Sequence, residues 1–146
     1  MTTPYDRLKE LGLELPTAAS PMANYVPFQL VGGFLYLSGQ GPRRADGTLH
    51  TGKVGSDVNV EDAYKHAQLT GLNLLAVAHL ALGDLARIKH VVKVLGMVNA
   101  IPSFGEHPKV INGCSDLFED VLGDAGRHAR SAVGMGSLPG NISVEI

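Results

Sequence analysis

The chain has 146 residues, 45% of them hydrophobic and 18% charged, which suits a single domain over residues 1–146 able to bury about two thirds of its unfolded surface. A net charge of −2 and no Lys/Arg run longer than two residues deny it the basic footprint of a nucleic-acid binder, so no nucleic-acid partner is expected. One cysteine, Cys114, excludes an internal disulfide framework, and neither a signal-type apolar core nor a run of membrane length occurs; the expected setting is the cytoplasm, without a membrane partner.

In chain order, Tyr5, Leu8 and Leu11 recur at helical spacing, so Pro4 to Gly12 reads as a short helix with proline in its first turn and glycine at its stop. Pro16 to Pro21 is a loop. Val26 to Val31 and Phe34 to Leu37 are β-type runs around Gly32-Gly33, a pair suited to a tight hairpin. Ser38 to Gly55 is a Gly- and Pro-rich loop with a turn at Ala45-Asp46-Gly47. Asn59 and Asp62 resemble a capping box before the longest helical pattern, Val60 to Leu82. Its Ala63, Ala67, Leu74, Ala78 and Ala81 share a face of small side chains, and Gly83 ends it. Ile88 to Asn99 reads as a strand apolar on both faces. Pro108 to Leu122 is a second long helix with Ile111, Cys114, Phe118, Val121 and Leu122 inward, and two closing strands follow. This order predicts an α+β sandwich: a mixed sheet with both main helices on one face and a second copy of the chain covering the other.

The closing stretch GRHARSAVGMGSLPGNISVEI carries the chemistry. If its two strands pair antiparallel, Arg130 and Glu145 come close and make a site for a small anion. An arginine at the start of a strand grips a carboxylate with two parallel hydrogen bonds; the competing reading is a surface ion pair. Glu145 alternates with Ile142, Val144 and Ile146, so it points off the core face, either simply exposed or placed to hold a water. Arg127 and His128 read as solvated loop residues. Ser38, in Leu37-Ser38-Gly39-Gln40, has no adjacent base and suits a hydrogen-bonding role. Asn112 lies one step off the apolar stripe of its helix, as a packing, capping or ligand residue. The six histidines show no ligand spacing, so no metal is expected. Cys114 reads as an inert core thiol. GMGSLPG has Pro139 where a dinucleotide loop needs its last glycine, and a strand follows instead of a helix, so no nucleotide cofactor is expected.

YLSGQGP (Tyr36 to Pro42), VVKVLGMVNA (Val91 to Ala100), the segment around Asn112 and ARSAVGMGSLPGNISVEI (Ala129 to Ile146) together resemble the Rid or YjgF-like family, also labelled endoribonuclease L-PSP. The likeness runs from about Tyr25 to the end, leaving residues 1–24 as an N-terminal extension. It implies a chorismate-mutase-like sandwich that assembles as a homotrimer with clefts between subunits. It further implies hydrolysis of reactive 2-imino acids to 2-oxo acids and ammonia, without cofactor or metal. By position, Arg130 matches the arginine that binds the substrate carboxylate and Glu145 the glutamate associated with the catalytic water. Tyr25, Ser38 and Asn112 match residues of the cleft. Ala132 stands where many imine-hydrolysing members carry cysteine, and the loop from Pro42 to Val54 is longer, which marks a divergent branch. A small-carboxylate-binding module is the rival implication, and ribonuclease, a family label, is opposed by the acidic balance.

Overall fold

Helix α1 (Pro4–Glu10) opens on a full capping box: the Thr3 hydroxyl accepts from the Asp6 N–H while the Asp6 carboxylate accepts from the Thr3 N–H. The computed structural model describes residues 1–21 and 23–146. Strands β1 (Phe28–Val31) and β2 (Phe34–Leu37) form an antiparallel hairpin whose turn residues Gly32 and Gly33 sit at φ 57° and 81°. Only a residue without a Cβ takes both values at little cost, so the glycine pair sets the hairpin. Helix α2 (Val60–Leu82) starts where the Asn59 side chain accepts from the Asp62 N–H and stops at Gly83 in the left-handed region. Helix α3 (His107–Leu122) begins one residue before Pro108.

The remaining strands are β3 (Lys93–Asn99), β4 (Ala129–Met135) and β5 (Val144–Glu145). β3 starts five residues later than the apolar pattern from Ile88 suggests. The cause is local: the Asp84 side chain accepts from the Ala86 N–H and winds Leu85–Arg87 into a 3-10 turn that ends on Ile88, and the ladder to β4 begins only at Lys93. The two closing strands do not pair with one another. β3 lies between them, parallel to β4 and antiparallel to β5. Gln40 and Ile146 exchange backbone hydrogen bonds at 2.9 and 3.0 Å, which ties the chain after β2 to the end of β5 and carries the hairpin alongside the sheet.

Alternation along β3 sends Val94 and Val98 into the core against Ile111, Cys114, Leu117 and Phe118 of α3 and the small face of α2. Gly113 lets the two helices close up, since a Cβ there would lie 2.0 Å from the Tyr64 carbonyl oxygen of α2. The opposite face is open and apolar: Leu95 is 49% exposed and Tyr36 63%, with Val31, Phe34 and Val133 also exposed. α1 belongs to the same body through Tyr5, whose hydroxyl lies 2.8 Å from His79 Nδ1 and accepts from the Leu85 N–H. Among the described residues, no helix is long and apolar enough to cross a membrane.

Candidate functional site

Arg130 is paired in register with Val94, so its side chain leaves β4 on the helix face, at the sheet edge. There it meets one stripe of α3. Its Nη1 donates to Ser115 Oγ at 2.9 Å and its Nη2 to the Pro108 carbonyl at 3.3 Å. Asn112 occupies the same stripe between those two contacts, four residues after Pro108 and three before Ser115, and is half-buried. Ala132, two residues on, faces the same way and packs on the core beside Gly96 and Ile111. Among the described residues the ion pairs within 4 Å are Lys109–Glu106 and Arg127–Glu119, so Arg130 has no carboxylate partner there. A guanidinium has five N–H donors, and two of these are taken by the protein.

Glu145 is elsewhere. It is paired with Met97, whose side chain alternates to the open face of the sheet, and a Cβ on Gly39 would lie 2.8 Å from its Oε2. The expectation that Arg130 and Glu145 share a pocket on neighbouring strands is therefore corrected for a single chain. β3 separates them, they point to opposite faces, and two strand spacings plus three residues of rise put their Cα atoms about 14 Å apart. Ser38 lies beside Gly39, and its hydroxyl donates to the Val26 carbonyl at 2.6 Å while its N–H donates to Pro27, pinning the entry to the hairpin next to exposed Tyr25. The six residues thus fall into two groups: Arg130, Asn112 and Ala132 on the helix face, and Tyr25, Ser38 and Glu145 around the ends of the hairpin and β5.

One residue that the sequence reading set apart, His128, and one that it passed over, Ser115, lie beside Arg130. His128 is half-buried, with Nε2 2.9 Å from Ser115 Oγ and Nδ1 2.6 Å from the Gly126 carbonyl, and Ser115 bridges it to Arg130. The available signal was spacing: in an extended chain His128 and Arg130 fall on one side. Arg127 is exposed, as expected. Burial pushes the Cys114 thiol up to about 12, with Arg130 acting weakly in the other direction, so this cysteine stays protonated and unreactive. No cluster of three or more metal-ligating side chains occurs among the described residues. A depression of about 460 Å³ lies beside the start of α2, lined by Gly55, Asn59, Phe104 and Lys109, and reaches neither Arg130 nor Glu145.

The sequence profile described as "YjgF/chorismate_mutase-like, putative endoribonuclease" matches residues 5–144. The chain belongs to this YjgF-like, or Rid, family. The match starts inside α1. Among relatives, Protein TCP17 of Trypanosoma cruzi is 43% identical over 95% of this chain and 88% of its own length. The crystal structure of Atu1372 from Agrobacterium tumefaciens, of unknown function, superposes with TM-score 0.90 at 50% identity, covering 98% of this chain and 89% of that one. A "putative endoribonuclease" from Shewanella oneidensis superposes with TM-score 0.94 at 39% identity, covering 98% and 95%. The fold described above, a three-stranded mixed sheet with a hairpin alongside it and α2 and α3 packed behind, fits this family's α+β architecture.

Proposed function

We propose that this protein hydrolyses small reactive 2-imino acids to 2-oxo acids and ammonia in clefts between copies of the chain. The observation that carries the reading is Arg130, a half-buried cation oriented by Ser115 and Pro108 with no carboxylate of its own within 4 Å among the described residues. A guanidinium held in that way suits a carboxylate from outside. The reaction needs little machinery, because an imine carbon is already electrophilic. Water oxygen bonds to that carbon as the C=N π bond opens and one water proton passes to nitrogen; the second follows as the C=O bond forms and the C–N bond breaks, so ammonia leaves with no redox change. Orientation and a held water supply the acceleration.

Arg130 and Glu145 point to opposite faces of one sheet, so a cleft using both is completed by a second copy: Arg130, Asn112 and Ala132 from one chain, Tyr25, Ser38 and Glu145 from another. A homotrimer with three such clefts also covers the apolar face carrying Tyr36 and Leu95. Ala132 favours a second reading, a trimer that binds small carboxylates without turning them over, because it leaves the pocket without a thiol. The test generates imines in situ with an amino-acid oxidase and follows ammonia and 2-oxo acid. The expected outcome is release faster than in buffer; release at the buffer rate, with 2-oxobutanoate still bound, selects the binding module. Cleavage of RNA in a parallel assay would instead favour the activity in the family's name.

A further inference from the structure

The hydrogen bonds that reach Arg130 have a direction. The Gly126 carbonyl can only accept, so His128 Nδ1, 2.6 Å away, carries a proton. In the neutral ring this leaves Nε2 as an acceptor, and the group it faces at 2.9 Å is the Ser115 hydroxyl, which must donate. Ser115 Oγ in turn accepts from Arg130 Nη1 at 2.9 Å. The run passes from guanidinium to hydroxyl to imidazole to backbone carbonyl, with one donor and one acceptor at each link. Phe118 sets its ring edge-on to His128 with centroids 5.9 Å apart, which holds the imidazole plane. Pro108 and Ser115 come from one stripe of α3, so the helix grips the arginine at two points one above the other.

We propose that Ser115 and His128 are positioning residues for Arg130, holding its fork in the orientation that offers the remaining N–H groups to a carboxylate. An unbraced arginine would have to be frozen by each ligand that binds, and the brace removes that loss beforehand. His128 fixes the direction of the Ser115 hydroxyl, and the hydroxyl fixes the guanidinium. This rests on Arg130 being the carboxylate anchor of the proposed function.

Two measurements test it. In the free protein, ring ¹⁵N chemical shifts of His128 are expected to report the neutral tautomer protonated on Nδ1; protonation on Nε2 overturns the chain whatever the protein binds. Titration with 2-oxobutanoate is expected to show affinity about 3- to 10-fold weaker in Ser115→Ala, the range of one immobilised side chain, and restored in Ser115→Thr. His128→Leu should weaken binding, and His128→Gln, which keeps an acceptor near the Nε2 position, should recover most of it. Equal affinity in wild type, Ser115→Ala and His128→Leu, with Arg130→Lys impaired, removes the brace and leaves the anchor. Unimpaired binding by Arg130→Lys removes the anchor and the brace together.

Discussion

Arg130→Lys keeps the positive charge at the edge of the sheet and loses the planar fork. Carboxylate binding should weaken by about 1.5–3 kcal/mol, the scale of a charge-assisted hydrogen bond, while the melting temperature stays close to wild type because Arg130 closes no ion pair. Calorimetric titration with 2-oxobutanoate beside thermal unfolding checks both halves. His66 gives a prediction of the opposite kind, on stability and not on binding. Its ring stacks on His50 with centroids 4.0 Å apart, and its Nδ1 lies 2.8 Å from Ser143 Oγ. Burial first, then the positive neighbourhood of His50 and Arg44, depresses it from 6.5 to about 4, against the pull of Asp62. The unfolded chain therefore takes up this proton first. The contribution is complete above 6.5 and drains away as pH falls toward about 4, with a ceiling on the order of 3 kcal/mol. Urea unfolding over that window should slope downward in wild type and flatten in His66→Asn; parallel slopes would count against it. At this scale the sequence made Arg130 stand out, because no other arginine opens a strand. It marked His128 as solvent-facing, because nothing local announces that Ser115, thirteen residues earlier on α3, will sit against it.

Helix α2 shows why some elements are readable. Asn59 and Gly83 bracket it with side-chain and backbone chemistry that acts within one turn, and the helix spans the residues they delimit. Strand β3 shows the opposite, since the apolar pattern from Ile88 to Val92 satisfies a strand but the partner ladder does not reach it. Packing between elements is more demanding still. Gly113→Ala places a methyl 2.0 Å from the Tyr64 carbonyl oxygen, and backbone cannot give way as a flexible side chain would. The helices must part, and the loss of stability should exceed about 2 kcal/mol, whereas Gly105→Ala, with nothing within 4 Å of its new methyl, should change stability by less than about 0.5 kcal/mol. Denaturant midpoints of the two variants decide the matter; equal midpoints would contradict the crossing. Tyr5→Phe should lose about 1–3 kcal/mol, because the Leu85 N–H is left without its acceptor in a buried position. A loss of that size, read by the same denaturant series, would mark α1 as part of the folded unit; no loss would mark it as an appendage.

The whole molecule leaves one sheet face uncovered, and the assembly prediction belongs here. Light scattering should give about three times the 15.4 kDa of one chain. Leu95→Asp, which charges the open face without touching the buried one, should lower that mass and abolish 2-oxobutanoate binding together with it; a monomer mass for wild type would overturn the shared cleft. The sequence by itself determined the element types, the hairpin, the two long helices and the family, because caps, glycine turns and periodicity act over a few residues and motifs persist in order. It also determined which side chains have the chemistry to hold an anion. Tertiary structure alone decided their company. Strand order is a contest among pairings far apart in the chain, and β3 entered between β4 and β5, sending Arg130 and Glu145 to opposite faces. The alternation that puts Glu145 off the core is written locally, but which strand lies beside it depends on burial summed over the entire sheet.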